Sequence, residues 1–291
     1  VAMVAPSIQG QFDSATLPQI SEGLRMLGFK DVVEVAVGAD VAAWYEKEEL
    51  KEKMATNTKM TTSCCPAFLN LAKQHFPKVY EENMSTVASP MVIMARYTKH
   101  HYPDHKVVFI GPCVAKKQEA RREDMGRDGY RDVDIVLTTR EFARLIKHKQ
   151  IPFRHLEPIR PFGALAIYTG AGNIFGATGG VMEAALRTVT EVLEGKSTPV
   201  EFQELRGNKD IKEATYQVKG KDINVAVVHG GKAIKTFLEN LKTGKKDYHF
   251  VEFMGCTGGC INGGGQPIVP AKLFEKNDES NGKMNNNVNL F

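Results

Sequence analysis

The chain has 291 residues, 42% of them hydrophobic and 25% charged, with a net charge of +4. That length can bury a sizeable core without disulfides, and no apolar run is long enough to span a bilayer. No Lys/Arg-rich tract and no nucleic-acid motif is present, so neither a membrane nor nucleic acid is an expected partner. The opening residues 1–10 are apolar but short and lack a basic n-region, which argues against a signal peptide. Without an initiator Met the chain reads as an excised domain or a processed fragment, and its expected location is cytoplasmic.

In chain order the pattern predicts a strand over 1–5, a helix over 17–27 and a strand over 32–37. A helix over 41–54 follows, with Asp40 as its N-cap and the mixed charges of an exposed surface. A strand over 60–63 leads into a helix over 67–75, with Pro66 suited to its first turn. A helix over 89–100, strands over 107–110 and 135–138 and a helix over 139–147 come next. The second half offers strands over 164–168, 202–205, 225–229 and 249–253, with helices over 181–194 and 232–242. This alternation predicts an α/β protein of two lobes, each a small mixed or parallel sheet flanked by helices. Residues 149–162 carry three prolines and little periodicity, so they divide lobe one (about 1–148) from lobe two (about 163–270). The tail 276–291, rich in Asn, Ser and charge, is expected to be mobile.

The cysteines are Cys64, Cys65, Cys113, Cys256 and Cys260. An odd number in a chain this long argues against a disulfide framework. Three cysteine segments share one arrangement, each following a strand candidate and sitting in a turn: Met60-Thr-Thr-Ser-Cys-Cys-Pro66, Val107-Val-Phe-Ile-Gly-Pro-Cys113 and Phe250-Val-Glu-Phe-Met-Gly-Cys256. Ligands of α/β proteins collect beyond the carboxyl ends of strands, where loops converge. A single buried cysteine is more often a small hydrophobe, but all five lie within two residues of Gly or Pro, in loops. A vicinal disulfide between Cys64 and Cys65 is the strained alternative. Structural zinc draws on paired knuckles or histidines, and only Cys256 and Cys260 form a close pair. Scattered single thiolates suit an iron–sulfur cluster held between two lobes. The glycines at 258, 259, 263, 264 and 265 allow close backbone approach, and their amides can donate to cluster sulfides. Gly170-Ala-Gly172 with Gly176 misses the dinucleotide-binding spacing.

At these segments the sequence closely resembles the iron-only ([FeFe]) hydrogenases. Thr62-Ser-Cys-Cys-Pro66 is similar to the first signature of that family. Gly111-Pro-Cys-Val-Ala-Lys-Lys-Gln-Glu119 is similar to the second, and the stretch from Glu252 to Pro267 to the third. Residues 170–185 resemble the family as well. The resemblance implies a [4Fe–4S] cubane on Cys65, Cys113, Cys256 and Cys260. Cys260 would also bridge to a two-iron subcluster carrying CO, cyanide and an azadithiolate, installed by maturation proteins. The active site would lie in the cleft between the lobes.

The resemblance further implies that Cys64 is the last proton relay, fed by Glu46, Glu49 and Ser85, with Lys53 at the outer end. Lys116 would donate to a cyanide, Ala5, Pro6 and Ser7 would contact the bridge and the other cyanide, and Phe175 and Met254 would wall the pocket. A thiol with its reference pKa of ~8.5 can exchange protons near neutrality, and Glu46 and Glu49, three apart on a helix, share a face. By themselves Glu46 to Glu49 look like a solvated helix surface, and Lys116 beside Lys117 looks surface-like. Gly111 stands where typical members carry Met, Met91 where many carry Gln, and Phe68 where Trp is frequent. Five cysteines leave none for accessory clusters, so electrons would come from ferredoxin or another low-potential carrier, or from a further domain. The implied activity is reversible reduction of protons to hydrogen. A hydrogen sensor of low activity and a non-catalytic iron–sulfur assembly relative are the competing readings.

Overall fold

The computed structural model describes residues 1–12, 15–127, 129–158, 168–195, 203–205, 208–218, 220–241 and 247–268. The chain forms two compact units, each discontinuous in sequence. One contains the described residues within Val1–Glu34, Ala95–Ile167 and Gly264–Phe291, the other those within Val35–Met94 and Tyr168–Gly263. This differs from two continuous lobes meeting near 149–162, because the sheet of each unit recruits strands that are distant in sequence.

The first unit is built on a four-stranded parallel sheet in the order Val32–Glu34, Ala2–Val4, Val108–Gly111, Ile135–Thr138. Its helices are defined by side chains at their ends. Leu17–Met26 opens on a capping box between Thr16 and Gln19, and Thr139–His148 on one between Thr138 and Glu141. Their apolar faces close over the sheet, with Phe12 meeting Phe142 and Phe153 edge-on at 5.5 Å.

The second unit holds a mixed five-stranded sheet in the order Met60–Thr61, Phe250–Met254, Lys221–His229, Asn208–Val218, Gln203–Leu205. The first three strands are parallel and the rest antiparallel. Strand Lys221–His229 is buried on both faces by simple alternation. Val225 and Val227 pack on one side with Met182, Ala185 and Leu186 of helix Gly180–Glu194. Ala226 and Val228 pack on the other with Phe68 of helix Pro66–His75 and Ile234 and Phe237 of helix Gly231–Leu241. Phe68, in the position noted for Trp, stacks on Phe253 at 4.4 Å.

The α/β class and most elements agree with the sequence reading, and the differences have local causes. Strand Val32–Glu34 passes directly into helix Val35–Ala55, six residues earlier than the expected start. The valines at 35 and 37 mimic strand alternation, but Gly38 lets the helix approach so closely that a Cβ there would lie 2.6 Å from the Pro90 carbonyl oxygen and from Met94. Asp40 is therefore no N-cap. Its carboxylate accepts from the backbone N and Oγ1 of Thr169, both at 2.6 Å, and so fixes the start of helix Gly170–Ile174. The short helices Pro77–Glu82 and Lys116–Glu119 and the long strand Asn208–Val218 were not anticipated. The expected strand over 164–168 and the tail 276–291 lie mostly or wholly outside the described residues. Among the described residues no helix is long and apolar enough to cross a membrane.

Candidate metal centre

In the second unit, strand Met60–Thr61 ends beside strand Phe250–Met254, and buried Thr62 ties the two with its hydroxyl, which accepts from the Phe253 N–H at 3.2 Å. Ser63 donates to the Val87 carbonyl at 2.7 Å. The chain then delivers Cys64 and Cys65 to the start of helix Pro66–His75, with Cys65 at the N-cap and its Sγ accepting from the Gly255 N–H at 3.3 Å. Only glycine fits at 255, since a Cβ there would come within 2.8 Å of the Ala67 Cβ.

Cys256 and Cys260 follow on a tight loop with Gly258 and Gly259 at φ of 80° and 89°. A Cβ on Gly259 would meet the Thr178 N, the Gly176 O and the Met254 Sδ within 3.0 Å. The loop is laced to residues 175–179 by an Ala177–Gly259 bridge and by the Ile261 N–H, which donates to the Gly176 carbonyl at 3.1 Å. Phe175 and Met254 join Ala39, Ala42, Ala43, Val181 and Ala184 in one buried cluster, with Cys64 packed against it.

A line of titratable groups runs along helix Val35–Ala55. Glu46 is 1% exposed, and its Oε2 has no hydrogen-bond partner among the described residues. Burial pushes its carboxyl up to about 8, helped by the charges of Glu252 and Glu49. Glu49 accepts from Ser85 Oγ at 2.6 Å and from the Thr86 N–H at 3.1 Å. Lys53 reaches the Glu82 carbonyl at 3.3 Å. Burial drives the Cys64 thiol well above its ordinary value, with Glu46, Cys65, Glu252 and Cys260 acting in the same direction. Cys64 is therefore a neutral thiol beside a carboxyl that still holds its proton near neutrality.

Glu252 was missed as a functional residue. It is fully buried and accepts from the Gly179 and Met182 N–H groups, each at 2.7 Å, at the start of helix Gly180–Glu194. Burial raises its carboxyl to about 7 against the lowering effect of these bonds. In the sequence it stood only as the first residue of the third signature, an acid in the middle of an otherwise apolar strand.

In the first unit, Ala5 leaves its strand donating to the Ile110 carbonyl at 2.9 Å, and Pro6–Ile8 forms a single 3-10 turn. Ser7 is buried, and its carbonyl accepts from Gln266 Nε2 at 2.8 Å. Gln266, given no role of its own in the sequence, is held in turn by Arg140, which donates to its carbonyl at 2.7 Å. Gly265 fits between Pro112 and Thr138, where a Cβ would meet both within 2.8 Å. Cys113 follows strand Val108–Gly111 in this frame, and Lys116, 9% exposed, reaches Glu119 at 2.6 Å. A Cβ on Gly111 would lie 2.5 Å from the Phe109 ring and 3.0 Å from the Ala5 Cβ.

All five cysteines are present as thiols. Among the described residues no three Cys, His, Asp or Glu side chains are gathered closely enough for one metal ion. The donor set is all thiolate, and Cys65, Cys256 and Cys260 sit on backbone where glycines leave no room for side chains. An all-thiolate set of this kind, on backbone with room left by glycine, is the donor chemistry of iron–sulfur clusters.

The architecture and the thiols at its strand ends define an α/β iron–sulfur protein. The chain belongs to the family described as iron only hydrogenase large subunit, C-terminal domain, whose family model matches residues 1–264. Iron hydrogenase 1 of Clostridium pasteurianum is 39% identical over 297 residues, covering 96% of this chain and 52% of that protein. Protein NAR1 of Arabidopsis thaliana is 35% identical, covering 70% of this chain and 48% of that one. The chain thus spans about half the length of these curated relatives. A solved structure of a variant of the [FeFe]-hydrogenase HydA1 from Chlamydomonas reinhardtii matches with a TM-score of 0.82 at 28% identity, over 96% of this chain and 82% of that one.

Proposed function

We propose that this domain catalyses the reversible reduction of protons to molecular hydrogen. The observation that carries the reading is the line from buried Ser85 through half-buried Glu49 and buried Glu46 to half-buried Cys64: a 2.6 Å hydrogen bond at the outer end, an unpartnered carboxyl oxygen in the middle and a neutral thiol at the inner end. A buried carboxyl that keeps its proton near neutrality is placed to give one up and take one back. A purely structural domain gains nothing from holding Glu46 and Cys64 in this way.

In this reading Cys65, Cys113, Cys256 and Cys260 would hold a [4Fe–4S] cubane, with Cys260 shared with a two-iron site carrying CO, cyanide and azadithiolate ligands. When bound, that group supplies the redox chemistry that interconverts protons and hydrogen. The chain's own residues manage protons and surroundings. Lys53 marks the outer end of the line, Ser85 and Glu49 pass protons to Glu46, and Cys64 holds one at its sulfur. Lys116 offers an ammonium to an anionic ligand, Phe175 and Met254 exclude water, and Ala5, Pro6 and Ser7 close the pocket. Ferredoxin or a similar low-potential carrier supplies electrons, maturation proteins install the two-iron site, and the location is the cytoplasm.

The test is the infrared spectrum of matured protein together with hydrogen evolution from reduced viologen. CO and cyanide bands with high turnover are expected, and Cys64→Ala should keep the bands and lose nearly all turnover. Bands with only slight turnover in the wild type would favour a sensor. Absence of bands from a chain that holds iron would favour an assembly role.

A further inference from the structure

His229 ends strand Lys221–His229 and lies 6% exposed behind the loop that carries Cys256 and Cys260. Its Nδ1 accepts from the Gly258 N–H at 3.2 Å. Gly258 is the residue at φ 80° in the middle of that loop, and a Cβ there would lie 2.6 Å from Asn262 Nδ2. The next residue of the turn is committed too. The Gly230 N–H donates to the Met254 carbonyl at 2.9 Å, and a Cβ on Gly230 would stand 3.1 Å from Thr257 Oγ1. The His229–Gly230 corner is therefore a saddle on which the loop rests, and the Gly258 amide ties it to a side chain that can change protonation state.

The groups facing the ring come from the neighbouring strand Asn208–Val218. Asp210 Oδ1 lies 3.6 Å from Nδ1, the backbone of Lys209 makes a further hydrogen bond, and Lys212 adds a positive charge. An Nδ1 that accepts carries no hydrogen. Adding a proton there would set two donors, Nδ1–H and Gly258 N–H, against each other while Asp210 offers an acceptor. Burial lowers the ring's proton affinity more than Asp210 raises it, so the accepting form holds at neutral pH.

We propose that His229 is the positioning residue of the cluster loop: it fixes the turn between Cys256 and Cys260 through the Gly258 amide, and exchanges that amide for Asp210 when the ring takes up a proton. The proposal rests on the reading that Cys256 and Cys260 hold a cluster. It makes reduction of that cluster proton-linked at a point separate from Cys64. One electron from an external reductant enters the cluster, one proton from solvent goes to Nδ1, and the Gly258 N–H is released.

Two measurements test this. In the cluster-free, nitrogen-15-labelled chain, the Gly258 amide resonance should move together with the protonation of His229 as pH falls below neutrality. His229→Asn, whose Oδ1 stands in place of Nδ1, should keep the neutral-pH position of that resonance and lose its pH dependence. In chain reconstituted with iron and sulfide and titrated with dithionite, the cluster potential should follow pH in the wild type and be flat over the same range in His229→Asn. A chelator should strip iron about tenfold faster from His229→Phe than from His229→Asn, because only Phe leaves the Gly258 donor unmet. A Gly258 resonance indifferent to His229, an Asn variant as pH-dependent as the wild type, or equal stripping rates would overturn the proposal. A chain that takes up no iron would instead overturn the cluster reading, and the amide measurement alone would then decide the role of His229.

Discussion

Glu46→Gln separates the energetic burden of the buried carboxyl from its shape. In the folded chain burial holds the proton on Glu46 up to about pH 8, whereas the unfolded side chain releases it near 4.5. Stability from this group is therefore fully present below pH 4.5 and is lost as pH rises towards 8. At ~1.4 kcal/mol for each pH unit over which only the folded state keeps the proton, the loss reaches about 3 kcal/mol at pH 7. Glutamine has the same shape and nothing to ionise, so the variant should match the wild type near pH 4.5 and exceed it by about that amount at neutrality. Urea melts of the cluster-free chain followed by Trp44 are the assay. Trp44 is the only tryptophan and lies on the same helix, Val35–Ala55, with Lys47 Nζ 3.5 Å from its ring. Glu252 adds a slope of the same sign to both proteins, and its charge is part of what raises Glu46. Parallel stability curves from pH 5 to 8 would refute the claim that Glu46 is buried as a protonated acid.

Cys113→Ala should lower the iron content of reconstituted protein, and undiminished iron by colorimetric assay would remove Cys113 from the ligand set. Glu252→Gln sets an amide NH2 against one of the Gly179 and Met182 N–H donors, so urea melts should show a loss of roughly 1–3 kcal/mol and chelator should strip iron faster; unchanged values would mean that the carboxylate does not hold the loop. Gly111→Met should be overpacked against Phe109, costing about 1–3 kcal/mol, and Phe109→Ala in the same chain should recover most of it. Additive losses in that double variant would show that the two positions do not share one space.

The cysteines at strand ends were legible because a short β-rich run followed by Gly, Pro and Cys leaves few conformations. Strand Ile135–Thr138 and helix Thr139–His148 were legible from their patterning, and the structure closes the boundary between them with the Thr138–Glu141 capping box. The early start of helix Val35–Ala55 was not, because valine spacing favours a strand locally and only the packing of Gly38 against Pro90 reverses it. Strand Asn208–Val218 was hidden by its charges, which read as loop until its pairing with Lys221–His229 is seen. Glu46 looked like surface beside Lys47, Glu48 and Glu49; the resemblance pointed to it, and burial explains it. Glu252, His229 and Gln266 could not be chosen from sequence, because their roles lie in backbone amides and carbonyls brought in from distant segments.

Among the described residues the five-stranded sheet ends at Gln203–Leu205, a three-residue strand beside the lysine- and acid-studded Asn208–Val218. Short margins decorated with charge discourage one molecule from zipping onto another. Ahead of metal loading the polypeptide is accordingly shielded on that side from stacking into fibres, which favours handling it in bulk without its inorganic cargo.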